Sequence, residues 1–80
     1  MTIRVLFFAY FRERVGEREV TFELPLAATV EDAWQGLRVR YGRLPPDPPR
    51  FAVNCVYVDK GHTLQDNDEL ALIPPVSGGN

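Results

Sequence analysis

Eighty residues carry nine basic and eleven acidic side chains, a formal charge of −2, and a chain of that length holds one domain. Apolar residues make up 45% and charged residues 25%, the balance of an ordinary soluble domain. The near-neutral charge lacks the basic stripe of a nucleic-acid binder, no apolar run approaches the ~18 residues of a membrane span, and Cys55 alone cannot build a disulfide framework. Met-Thr-Ile-Arg-Val at the N-terminus puts no charged region ahead of a long apolar one, so no secretory signal is expected and the domain reads as cytoplasmic.

Ile3 to Phe8 is rich in β-branched and aromatic residues and reads as a strand, with Ile3, Val5 and Phe7 on one face. Ala9 to Gly16 reads as one or two helical turns closed by the glycine. From Glu19 to Leu24 the pattern alternates: Val20, Phe22 and Leu24 face in, while Glu19, Thr21 and Glu23 face out. A short connection between these two strands favours antiparallel pairing.

Thr29 then opens a long helix, its hydroxyl placed to cap the first turn and Asp32 placed to complete a capping box. Val30, Ala33, Trp34, Leu37 and Tyr41 form one stripe on a 3.6-residue period. Arg38, Arg40 and Arg43 suit the negative end of the dipole, and Gly42 is the expected left-handed terminator. Pro45, Pro46, Pro48 and Pro49 exclude helix and inner strand, so Leu44 to Pro49 is an exposed loop. Phe51 to Val58 is expected as strand. Leu64 to Leu70 is a turn with Asn67 left-handed, Glu69 to Ile73 is the last strand, and Pro74 stops it. One long helix on one face of a small mixed sheet is an α+β arrangement, the pattern of a ubiquitin-like β-grasp. The expected domain spans residues 1–74, with residues 75–80 as a flexible tail.

Self-contained chemistry is sparse. His62 is the only histidine, and Cys55, Asp59 and His62 lack zinc-ligand spacing. Cys55, inside the expected strand, reads as a small buried hydrophobe. Ser77 has no histidine base at a recognisable spacing. Gly78-Gly79 precedes no helix and forms no phosphate loop. Residues 51–80 set Lys60 against Asp59, Asp66, Asp68 and Glu69. That is either a solvated acidic turn or a surface that meets a basic partner. Pro74-Pro75 hold the chain extended, and Gly78-Gly79 form a slim tip, which suits insertion into a narrow channel of another protein. The same tail also reads as a frayed terminus.

Leu6-Phe7-Phe8-Ala9 with Arg12-Glu13 and Gly16 resembles the opening of the small subunit of molybdopterin synthase. Ala52-Val53-Asn54, Leu64, Asp68-Glu69 and above all Pro74-Pro75-Val76-Ser77-Gly78-Gly79 extend the resemblance over nearly the whole chain. The sulfur carrier of thiamine biosynthesis shares the fold and the Gly-Gly end, but usually lacks the aromatic opening and the Arg-Glu block.

The resemblance implies a non-catalytic sulfur-donor subunit with no bound cofactor. Its partners would be an activating enzyme, which uses ATP to adenylate a C-terminal glycine, and the large synthase subunit. Gly79 would carry the thiocarboxylate and Gly78 would give clearance. Pro74, Pro75, Val76 and Ser77 would form the partner-binding stalk that delivers sulfur to cyclic pyranopterin monophosphate. The family's functional form ends at Gly-Gly, whereas Asn80 follows Gly79 here, so Asn80 is expected to be removed. Two alternatives are a carrier or modifier in thiamine, cysteine or tRNA thiolation, and a plain interaction module whose tail does nothing.

Overall fold

The computed structural model describes residues 1–75. Among them, the elements are β1 (Thr2–Phe7), α1 (Tyr10–Val15), β2 (Glu19–Glu23), α2 (Val30–Arg40), β3 (Arg50–Val53), β4 (Val56–Val58) and β5 (Glu69–Ile73). The five strands form one sheet in the order β2-β1-β5-β3-β4, with only β1 and β5 parallel. This is the expected β-grasp, with α2 as the long helix and α1 as the short one. No described helix is long and apolar enough to cross a membrane.

The core follows from the two periodicities. Ile3, Val5 and Phe7 from β1, Leu70 and Leu72 from β5, and Phe51 and Val53 from β3 point at α2, which answers with Val30, Ala33, Trp34 and Leu37. Trp34 lies edge-on to Phe11 and Phe51, at centroid distances of 6.3 and 6.1 Å. The aromatic edges carry positive charge and the faces negative, so this geometry adds electrostatic attraction to the buried area. The Thr29 hydroxyl accepts from the Asp32 N–H, and the Asp32 carboxylate accepts from the Thr29 N–H, so the capping box is complete.

Three local expectations are corrected. The expected strand Phe51 to Val58 is a hairpin, with Asn54 and Cys55 at its turn at φ 50° and 72°. Two consecutive positive φ values are the mark of a type I′ turn, whose twist matches that of the flanking strands. Cys55 is therefore exposed rather than buried in a strand. Gly42 does not terminate α2, since Gly16 is the one glycine at positive φ among the described residues. Tyr41, at φ −118° and ψ 89°, leaves the helix instead, and this path brings its ring to 5.9 Å from that of Phe7. Finally, the proline loop is exposed only in its middle, because Leu44 and Pro49 anchor its two ends in buried positions.

The acidic turn is spent on the fold itself. Asp66 accepts from the Thr2 N–H, and Asp68 accepts from the Gln65 N–H and the Asn54 side-chain amide. Glu69 pairs with Arg4 at 3.3 Å. These carboxylates tie the turn before β5 to β1 and to the hairpin, at the end of the sheet remote from Pro74. These bonds give Asp66 and Asp68 a structural use within the turn.

Candidate functional site

Strand alternation gives the sheet a second face, opposite α2. In β2 that face is polar, with Glu19, Thr21 and Glu23. In β3 and β5 it is not: Ala52 and Ala71 are buried yet lie outside the core cluster, and Ile73 is half-buried. The register sets Leu6 beside Ala71, Ala71 beside Ala52, and Ala52 beside Tyr57, an apolar row across four strands. Next to it, Ile73 pairs with Arg50, whose guanidinium lies 4.2 Å from the centre of the Tyr57 ring. Phe8 is 45% exposed and Tyr57 56% exposed. On the other side the Arg4–Glu69 ion pair bounds the patch.

The apolar patch surrounds the root of the tail. β5 ends at Ile73, and Pro74 follows half-buried with Pro75 exposed. The Phe8 N–H donates to the Leu72 carbonyl at 3.3 Å, which holds the end of β1 against the end of β5. Ala9 then turns the chain at φ 51° and ψ −128°, a conformation natural to glycine and strained for alanine. Phe8, just before that turn, and Arg12 on α1, just after it, line one groove together with Leu6 and Arg18.

Of the expected tail residues, Pro74 and Pro75 stand where the sequence puts them. Val76, Ser77, Gly78, Gly79 and Asn80 lie outside the described residues. The apolar face itself was missed by motif reading, although a signal for it exists. Phe51-Ala52-Val53 and Leu70-Ala71-Leu72-Ile73 are continuous apolar runs, which in a strand means that both faces avoid water. Two of the three arginines near the end of α2 have internal uses: Arg38 donates to Gln35, and Arg40 donates to the Thr21 carbonyl and stacks near Tyr41. Among the described residues no three metal-ligating side chains come together.

Comparison with known proteins bears on the same region. A family model described as the ThiS family matches residues 5–79. The molybdopterin synthase sulfur carrier subunit of Chlamydomonas reinhardtii is 43% identical, over 99% of this chain and 100% of its own. The H. volcanii small archaeal modifier protein 1 superimposes with a TM-score of 0.81 at 27% identity, over 94% of this chain and 98% of that one. In a complex of subunits 1 and 2 of the molybdopterin-converting factor from Helicobacter pylori, a chain 25% identical matches with a TM-score of 0.68. The match covers 99% of this chain and 100% of that one.

Proposed function

Because the chain belongs to the ThiS family, we propose that it is the sulfur-carrier subunit of molybdopterin synthase. The observation that carries this reading is the full-length similarity to a sulfur carrier subunit of that synthase, 43% identical from end to end. The domain is residues 1–74, and residues 75–80 are the working tail. Gly79 is the reactive residue, Gly78 gives it clearance, and Pro74, Pro75, Val76 and Ser77 form the stalk that partners grip.

The chemistry is that of an acyl carrier. The Gly79 carboxylate attacks the α-phosphorus of ATP on an activating enzyme, forming an acyl-adenylate and releasing pyrophosphate. Hydrosulfide from the sulfur source then attacks the carbonyl and displaces AMP, which leaves a thiocarboxylate. The loaded tail enters the large synthase subunit, where its sulfur displaces an oxygen substituent of cyclic pyranopterin monophosphate. Water cleaves the resulting thioester, which leaves the sulfur on the pterin and restores the Gly79 carboxylate. The carrier itself binds no cofactor and contributes no catalytic side chain, and it acts in the cytoplasm. Support for the large subunit as partner comes from the Helicobacter pylori complex and from the apolar face around the tail root, with Phe8 and Tyr57 exposed on it.

An amide-linked Gly79 carbonyl cannot be adenylated, so the bond between Gly79 and Asn80 must be cleaved first. The test is intact-mass measurement on protein from its own host, followed by a reconstituted sulfur-transfer assay on a carrier ending at Gly79. Activating enzyme, ATP, sulfur source, large subunit and pterin precursor are supplied, and dithiolene product is read. A chain still carrying Asn80 that supports full turnover would overturn the assignment to Gly79. A Gly79-terminated carrier that yields no product with this synthase, but thiolates tRNA or the thiamine precursor, would establish the alternative pathway.

A further inference from the structure

The groove between the end of β1 and the start of β2 holds two arginines whose side chains have no partner among the described residues. Leu6, Phe7, Phe8, Arg12, Arg18 and Glu19 line a hollow of about 410 Å³. Arg14, Arg38 and Arg40 bond to groups within the domain through their side chains, and Arg4 pairs with Glu69. Among the described residues, Arg12, Arg18, Arg43 and Arg50 have neither a side-chain hydrogen bond nor a carboxylate within 4.0 Å; Arg50 lies over Tyr57, and the two that line one groove together are Arg12 and Arg18. Their main chains are nonetheless fixed: the Arg12 N–H donates to the Ala9 carbonyl, and the Arg18 carbonyl accepts from the Phe7 N–H, both at 3.0 Å.

We propose that this groove binds an aspartate or glutamate side chain of the large synthase subunit, with an adjacent apolar residue seated on Phe8 and Leu6. The inference rests on the carrier reading above. A guanidinium presents a planar fork of donors that matches a carboxylate, and such charge-assisted bonds strengthen where an apolar floor excludes water. Glu19 on the rim leaves the lining with one net positive charge, so it favours a single acidic group. The groove is continuous with the open apolar face through Leu6 and Phe8, and Phe8 is bonded to Leu72 at the tail root. A partner that swallows the tail therefore passes over it. Opposite charges at the margin of such a contact also speed and orient encounter.

The experiment uses a carrier ending at Gly79 and the large subunit from the same genome, titrated calorimetrically at low and high salt. Arg12→Glu and Arg18→Glu are compared with Arg43→Glu, which makes the same charge change outside the groove. Each groove variant is expected to weaken binding about tenfold or more and to flatten the salt dependence, with Arg43→Glu changing it about threefold at most. Arg12→Gln and Arg18→Gln, which remove charge without reversing it, should show the smaller loss in the same order. Circular dichroism and thermal melts check that every variant is folded.

Equal effects from groove and control variants would overturn the proposal, as would unchanged affinity. So would a change confined to self-association in sedimentation velocity, which would make a second copy the occupant. Failure of the unmodified carrier to bind the large subunit at all would instead overturn the carrier reading, and this inference with it.

Discussion

Ala52 and Ala71 pair directly across β3 and β5 and are only 6% and 9% exposed, although they face away from α2. The register sets Leu6 beside Ala71 and Tyr57 beside Ala52, which makes this part of the face a shallow apolar floor instead of a solvated sheet surface. An antiparallel or mixed sheet in a free-standing domain ordinarily turns a polar face to water. This one keeps that face apolar beside the tail root, where a partner would take hold.

A charge in that floor should therefore separate association from folding. Tyr57→Glu is expected to weaken binding to the large subunit about tenfold or more, since truncated or mismatched centres of interfaces dominate affinity. Tyr57 is 56% exposed, so the new carboxylate meets water and unfolding should shift by about 1 kcal/mol or less. Titration calorimetry and a urea melt on the same preparation measure both quantities.

The α2 stripe carries the opposite expectation. Leu37 is fully buried in the core cluster, and Leu37→Ala should cost about 2–5 kcal/mol through lost burial and the cavity left behind. Chemical denaturation gives the value. A loss below about 1 kcal/mol would show that the helix does not pack as described.

The capping box at the head of α2 gives a smaller and distinct effect. Thr29→Ala removes the hydroxyl that accepts from the Asp32 N–H, leaving a first-turn donor without its partner. The expected loss is about 1 kcal/mol, read from the urea midpoint with an unchanged slope.

Cys55 offers a stabilising change. It holds φ 72° at the second position of the hairpin turn, where a side chain is strained and glycine is not. Cys55→Gly should stabilise by about 1 kcal/mol, or about 4–8 °C in Tm for a domain of this size. Differential scanning calorimetry under reducing conditions would measure it.

The tail should behave in the reverse way from the core. Among the described residues, the core cluster reaches no further along the chain than Leu72. Gly78→Val, in a carrier ending at Gly79, should leave unfolding within about ±0.5 kcal/mol. The same variant should lose thiocarboxylate formation or sulfur transfer, because a branched Cβ occupies the space glycine leaves open. Wild-type turnover by that variant would remove Gly78 from the functional site.

Much of this protein is written in local pattern. The alternation of Ile3, Val5 and Phe7, the helix stripe through Trp34 and Leu37, the Thr29–Asp32 cap and the left-handed Asn67 all depend on near neighbours, and all stand as the sequence reads them. The tail motif is likewise legible in sequence, because its chemistry resides in residue identity and order. Other features depend on what the chain meets after folding. A turn at Asn54-Cys55 splits the run from Phe51 to Val58, because β3 needs a return partner and Cys55 is no conventional turn residue. Tyr41 instead of Gly42 ends α2, because its ring finds Phe7 across the core. Whether Asp66 and Asp68 would be surface charge or turn scaffold was decided by donors on Thr2 and Asn54, distant in sequence. The apolar floor of Leu6, Ala52 and Ala71 comes together only when β1, β5 and β3 lie side by side. Periodicity determines which side of a strand is apolar, but strand order alone determines which apolar sides become one surface.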